Sequence, residues 1–156
     1  MFSKGITKIE ILISIGVALV IIIVDIVVIS YLNNKTRDIQ ILSEIDQIRS
    51  GLEVFLLTNN HYPIRETQAL LNDSDVLTEK LCIEDFVRIT ERCEKNILNP
   101  VPNFYKSLGN FYTYQSIDEN KNYLLEFNLK TNFKKQGILK GVNCATNSQI
   151  VSQPCF

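Results

Sequence analysis

Apolar residues are continuous near the start of this chain and periodic further on. Ile11 to Ile29 is an apolar run of about 19 residues, with one carboxylate, Glu10, at its head and another, Asp25, inside it. A run of that length crosses a bilayer as a helix. From Asn33 to Asp38 the chain is polar. Ile41, Ile45, Ile48, Leu52 and Phe55 then recur at helical spacing, with Glu44, Asp46, Gln47, Arg49 and Glu53 between them. That is one apolar stripe on an amphipathic helix. It spans about two heptads, too few for a coiled coil, so the stripe is expected to pack on a sheet. Gly51 costs about 1 kcal/mol against alanine but does not stop so long a helix. Thr58-Asn59-Asn60 weakens the helix, and Tyr62-Pro63 ends it because the residue before proline avoids the α region. One helix from Ile6 to Asn60 would be about 80 Å long.

Residues 64–102 read as a polar, helical connection. Glu66 to Leu71 suggests a short helix, and Asp75 is placed to cap a second one carrying Leu77, Leu81 and Ile83. Cys82 and Cys93 would bracket a short helical loop. Asn99-Pro100-Val101-Pro102 is a break. Strand signals follow. Phe111 to Ser116 is aromatic and β-rich, Asp118 to Lys121 is a turn, and Tyr123, Leu125, Phe127 and Leu129 alternate with polar or exposed positions. Ile138 to Val142 is a third strand, and the tail from Asn143 to Phe156 reads as loop. Three strands cannot bury one face alone, and the Ile41–Phe55 stripe is the available partner. The pattern predicts an α+β fold: a long N-terminal helix, membrane-spanning then amphipathic, on a small antiparallel sheet of about three strands.

The chain has 156 residues and a formal charge of −1. Beyond the anchor that leaves one small domain, and nothing in the balance suggests a nucleic-acid surface. Cys82, Cys93, Cys144 and Cys155 all lie beyond the anchor. An even count in an exported domain points to disulfides. Of three connectivities, nearest-neighbour pairing (Cys82–Cys93, Cys144–Cys155) closes the shortest loops. Zinc is disfavoured, with no C-x-x-C pair and a single histidine. No P-loop, G-x-S-x-G, H-E-x-x-H or dinucleotide fingerprint is present. His61 sits in the turn after the helix with no identifiable acid or nucleophile as partner. Asp73, Asp75, Glu84 and Asp85 form only a loose acidic group. The chain therefore reads as a non-enzyme without a cofactor or metal.

At about 100° per residue, Thr7, Ser14, Ala18, Ile21 and Asp25 fall within an arc of roughly 100° around Glu10. A small and polar stripe on a membrane helix marks a helix–helix interface. The order Lys4-Gly5-Ile6, with Glu10 fifth from Ile6, resembles the class III leader of type IV prepilins and type II secretion pseudopilins. It departs from that pattern at Ile6, where phenylalanine is commonest, at Lys8, usually apolar, and in lacking a mid-membrane proline. The close of the helix before Tyr62-Pro63 also resembles the major pseudopilins. A cleavable signal peptide would have a shorter apolar region ending in a small-x-small site.

The resemblance implies a type IV pilin-like fold with a leader at 1–5, a membrane and filament-core helix at 6–31, and its amphipathic continuation at 32–60. A globular head at 61–156 would comprise a helical loop 64–102, a sheet 110–142 and a C-terminal loop 143–156. It implies cleavage between Gly5 and Ile6 by a prepilin peptidase, methylation of Ile6, and pairing of Glu10 with the freed Ile6 amine of an adjacent copy. Ser14 and Asp25 join Glu10 as assembly residues. Partners would be other copies, other pilins or pseudopilins, and an inner-membrane assembly platform. Lys4 and Lys8 precede the apolar run while Lys35 and Arg37 follow it, so charge alone does not orient it; the resemblance places the N-terminus in the cytoplasm and the head outside. Calcium bound in the sheet region also occurs in the family, but the loop after Tyr114 offers only Asp118 and Glu119, short of the six to eight oxygens such an ion takes. The alternative reading is a monomeric, membrane-anchored extracytoplasmic binding protein.

Overall fold

A computed structural model of the chain describes residues 8–73, 75, 77–103 and 111–156, with the backbone alone for Lys8 and Glu10. One helix, α1, runs Lys8–Asn59. The chain divides into two units, the first ending at Thr36 and the second running Arg37–Phe156. In the first unit the large apolar side chains from Ile9 to Leu32 are all exposed. By length and composition this stretch is apolar enough to cross a membrane, its mean hydropathy reaching 3.2.

The second unit, Arg37–Phe156, called the head from here on, is organised around the stripe. Ile41, Ile45, Ile48, Leu52 and Phe55 are fully buried. They face a five-stranded antiparallel sheet in the order β1-β5-β6-β7-β8, formed by β1 (Ala69–Leu70), β5 (Thr113–Ile117), β6 (Asn122–Leu129), β7 (Gly141–Ala145) and β8 (Ile150–Val151). Strand β6 sends Tyr123, Leu125, Phe127 and Leu129 inward, and the register brings Tyr114 opposite Leu125 and Ala145 on its other side. Period-2 burial on the sheet thus meets period-3.6 burial on the helix. Each such side chain contributes about 1.5–3 kcal/mol on full burial.

Asn60 ends the helix in the left-handed region (φ 61°), its N–H donating to the Leu56 carbonyl at 2.7 Å. Asparagine tolerates that conformation better than most residues. Pro63 follows Tyr62 and prevents resumption of the helix. The β5–β6 turn holds Asp118, Glu119 and Asn120 consecutively at φ 52°, 55° and 63°. Conformations of this kind cost on the order of 1 kcal/mol each. Bonds to the helix end offset them: the Tyr62 N–H donates to the Asn120 carbonyl at 2.8 Å and Lys121 Nζ to the Asn60 carbonyl at 3.0 Å.

The connection expected to be helical is built differently. Among its described residues it contains strands: β1, and a three-stranded sheet in the order β3-β2-β4 from β2 (Lys80–Cys82), β3 (Phe86–Val87) and β4 (Asn96–Leu98). Ala69 pairs with Tyr114, and the Leu71 N–H donates to the Tyr112 carbonyl at 2.8 Å, so the edge of β5 takes the segment read as a short helix. Such a segment is too short to recover the cost of helix nucleation on its own. Asp75 caps no helix; its N–H donates to Asp73 Oδ1 at 2.9 Å, and Leu77 sits at φ 57°, outside helical geometry. The third strand begins at Gly141 rather than Ile138, which bridges Phe133 instead. The tail is not all loop, since β8 pairs with β7 through Cys144–Val151 and Ala145–Ile150. Gly51 also gains a reason: a Cβ there would lie 2.7 Å from Leu98 Cδ1, so its absence lets β4 approach α1.

Replacing Ile48 or Phe127 by alanine should destabilise the head by about 2–5 kcal/mol. Urea unfolding of a fragment starting near Asn33 measures this; neutral substitutions, or a fragment that never folds, would disprove the packing.

Three buried tyrosines give the head an alkaline limit. Tyr114 donates to the Pro63 carbonyl at 2.9 Å and Tyr123 to the Thr146 carbonyl at 3.2 Å. Tyr62 donates to Glu53 at 2.8 Å. Burial raises Tyr114 well above an ordinary phenol, burial and then the Glu53 carboxylate raise Tyr62, and burial pushes Tyr123 up to about 12 against the pull of Arg49. The folded chain therefore keeps protons that the unfolded chain releases from about pH 10 upward. The resulting stabilisation is complete below that pH and is lost as pH rises toward about 12. Urea midpoints of the head fragment should hold near pH 8–9 and fall progressively above about pH 10; a flat profile through that range would contradict the burial of these hydroxyls.

Candidate functional site

The surface with the strongest functional signal is the exposed first unit. Its large apolar side chains from Ile9 to Leu32 are exposed, and the helix holds itself together through its own backbone bonds. Ser14 and Asp25 are exposed positions of this helix. Glu10 lies in the same helix, and its side chain is outside the described set. Gly5, Ile6 and Thr7 lie outside the described residues altogether. Three and four residues from Asp25 stand Ile21, Ile22, Val28 and Ile29, the positions that neighbour it on a helix surface. Helix geometry therefore offers this carboxylate no cation from its own turn. In hydrocarbon a charged group of this kind costs about 2.5–3.5 kcal/mol on insertion scales.

A second feature was not signalled by local sequence. Asp38, the second residue of the head unit, is fully buried. Its Oδ2 accepts the Lys130 N–H at 2.9 Å, the Thr131 N–H at 2.6 Å and the Thr131 hydroxyl at 2.8 Å. Arg37 Nη2 lies 3.2 Å from its Oδ1. The carboxylate thus joins the helix to the chain leaving β6, and charge-assisted bonds of this type are the stronger class. Farther along, Tyr112 donates to Glu44 Oε2 at 2.7 Å, and Arg49 Nε to the Thr146 carbonyl at 3.2 Å. The solvated face of the amphipathic helix therefore supplies polar ties at the borders of its apolar stripe.

The cysteines form two bridges, Cys82–Cys93 and Cys144–Cys155, with Cα atoms 5.6 and 5.1 Å apart. Cys82, Glu84 and Cys93 cluster within 4.8 Å, but both sulfurs are already bonded to each other. Among the described residues the other acids of the loops do not converge. Asp85 pairs with Arg65 at 3.1 Å, Asp73 accepts the Asp75 N–H, and Glu84 accepts the Glu94 N–H. Asp118 Oδ2 accepts from Asn122 Nδ2 at 2.8 Å, a bond internal to its hairpin. His61 uses Nδ1 against the Tyr62 carbonyl at 2.8 Å and stands edge-on to Phe55, a turn-packing role. An open groove of about 710 Å³ lies between α1 and β4, with Asp46 on one wall and Lys95 on the other. None of these arrangements joins a nucleophile to a base.

No protein-family model, curated protein or solved structure matches the chain.

Removing the carboxylate with Asp38→Ala would leave three donors and Arg37 without their acceptor. The head should lose about 3–5 kcal/mol, more than Asp38→Asn, which keeps one acceptor oxygen. Urea unfolding of both variants checks this, and equal, near-zero effects would remove the carboxylate from the scaffold.

Proposed function

We propose that the protein is a structural subunit of a type IV filament, either a pilus or a type II secretion-like pseudopilus. The observation that carries this reading is the order Lys4-Gly5-Ile6 with Glu10 fifth from Ile6, directly ahead of the apolar run. An anchor alone requires neither a cut before the membrane segment nor an acid at that position. The reading is supported by a helix whose apolar side chains have no partner within its own unit, by a head that forms a separate unit, and by two disulfides suited to an oxidising compartment.

On this reading a prepilin peptidase cuts after Gly5 on the cytoplasmic face and the head lies outside. The freed amine of Ile6 then becomes the counter-charge for Glu10 of an adjacent copy. Two unlike charges in a low-dielectric core attract strongly, while one left alone is heavily penalised. The pair thereby checks the register of each arriving subunit, and methylation preserves the positive charge. Helix packing supplies the remaining driving force, and the heads form the outer surface.

Intact-mass analysis of the membrane fraction should find the chain beginning at Ile6 in cells with an active peptidase, and Gly5→Leu should leave it beginning at Met1 while still inserted. Glu10→Ala should stay membrane-bound yet vanish from the sheared filament fraction. A chain that keeps its leader and never enters such a fraction would instead favour a monomeric anchored binding protein.

A further inference from the structure

We propose that Lys8 of one copy pairs with Asp25 of a second neighbouring copy, distinct from the one that exchanges the Glu10–Ile6 pair at an offset of about four residues, setting a parallel stagger of about 17 residues between these two α1 helices. This deepens the filament reading and rests on it. The charges near and within the apolar run are Lys8, Glu10 and Asp25. With Glu10 matched to a freed Ile6 amine, one cation and one carboxylate remain. Positions 8 and 10 are two apart in the sequence, not the three or four that make helical neighbours. Asp25 is exposed and has only apolar neighbours on its own helix surface. The leftover pair is thus complementary in charge but must be satisfied between chains.

Geometry then limits how. Helices inserted alike into one membrane run parallel. Without stagger, identical helices would set Asp25 against Asp25 and Lys8 against Lys8, both repulsive. A displacement of about 17 residues, at 1.5 Å each, moves one copy some 26 Å along the axis and brings Lys8 level with Asp25. Two helices spanning the same bilayer at the same depth cannot adopt that offset. Before assembly Asp25 lies within about one turn of the outer end of the apolar run, close enough to water to be tolerated. In a filament core that water is gone, and the lysine of the displaced copy replaces it. Arg37 is a poor substitute, being held against Asp38 at 3.2 Å.

Cross-linking tests this directly, because the native cysteines are all paired. Copies carrying Leu12→Cys are coexpressed with copies carrying Ile29→Cys, two positions with the same offset and each one turn beyond the proposed pair. A mixed disulfide dimer is expected in the sheared filament fraction and not in the membrane pool. Adding Asp25→Asn to every copy should lower its yield about tenfold or more, and Asp25→Lys combined with Lys8→Glu should recover both filaments and dimer. If Asp25→Asn abolishes filaments entirely, that recovery decides: rescue supports the pair, and no rescue overturns it. Filaments without the mixed dimer, a dimer indifferent to Asp25→Asn, or preferential coupling of Leu12→Cys with Ile22→Cys (the offset that would select Lys35) overturn the proposal and leave the filament reading standing. A chain absent from any filament fraction removes both.

Discussion

The structure depends on one constraint: a single helix changes its surroundings partway along its length. From Ile9 to Leu32 the large apolar side chains of α1 are exposed, and none is covered within the unit. From Arg37 they narrow to the stripe Ile41–Phe55, which disappears under the sheet. A helix apolar all round suits lipid or a bundle, and a helix with one stripe suits a globular core. The head inherits its layout from that change. Strand β6 alternates because it lies on the stripe; β5 and β7 flank β6 and bring Tyr114 and Ala145 to the same face.

Legibility followed the range of the interaction. The stripe, its partner strand and the stop at Asn60–Pro63 were readable because each is a local pattern of several residues. The connection was misread because its strands are two or three residues long. At that length periodicity carries no information, and pairing with distant strands decides the conformation. Ala69 is strand because Tyr114 lies beside it, and Lys80–Cys82 is strand because β3 and β4 close on either side. Gly51 looked like a tolerated weakness in a helix until Leu98 supplied the steric reason for it. Asp38 stood unmarked at the end of the polar stretch Asn33–Asp38 for the same kind of reason, its acceptor role being set by Lys130 and Thr131 about ninety residues away. The proposed assembly role rests on a motif of the local kind, Gly5, Ile6 and Glu10 within six residues.

The polar groups of the head divide between closing turns and tying the helix down. Asp73, Glu84 and Asp118 bind backbone or side-chain groups in their own loops. Asp38, Glu44 and Arg49 reach from the helix to the sheet or the residues flanking its strands. Such bonds add direction to a hydrophobic contact that has none of its own. They fix the rotation of the stripe on the sheet, and with it which residues of the helix face outward.

The placement of the two disulfides has a mechanical consequence. Each bridge closes a local loop with a sequence separation of 11, and neither includes a residue of α1. No covalent cross-link therefore fastens the helix to the sheet. Tension applied through the helix would reach the sheet through the interlocked apolar side chains and the Asp38, Glu44 and Arg49 bonds, besides the chain itself beyond Asn60. The bridged loops would act as pre-tied knots, shortening the length that can be drawn out once the helix has been peeled away, and the Cys82–Cys93 loop also holds the helix end, where Asn59 Nδ2 donates to the Ile83 carbonyl at 2.7 Å.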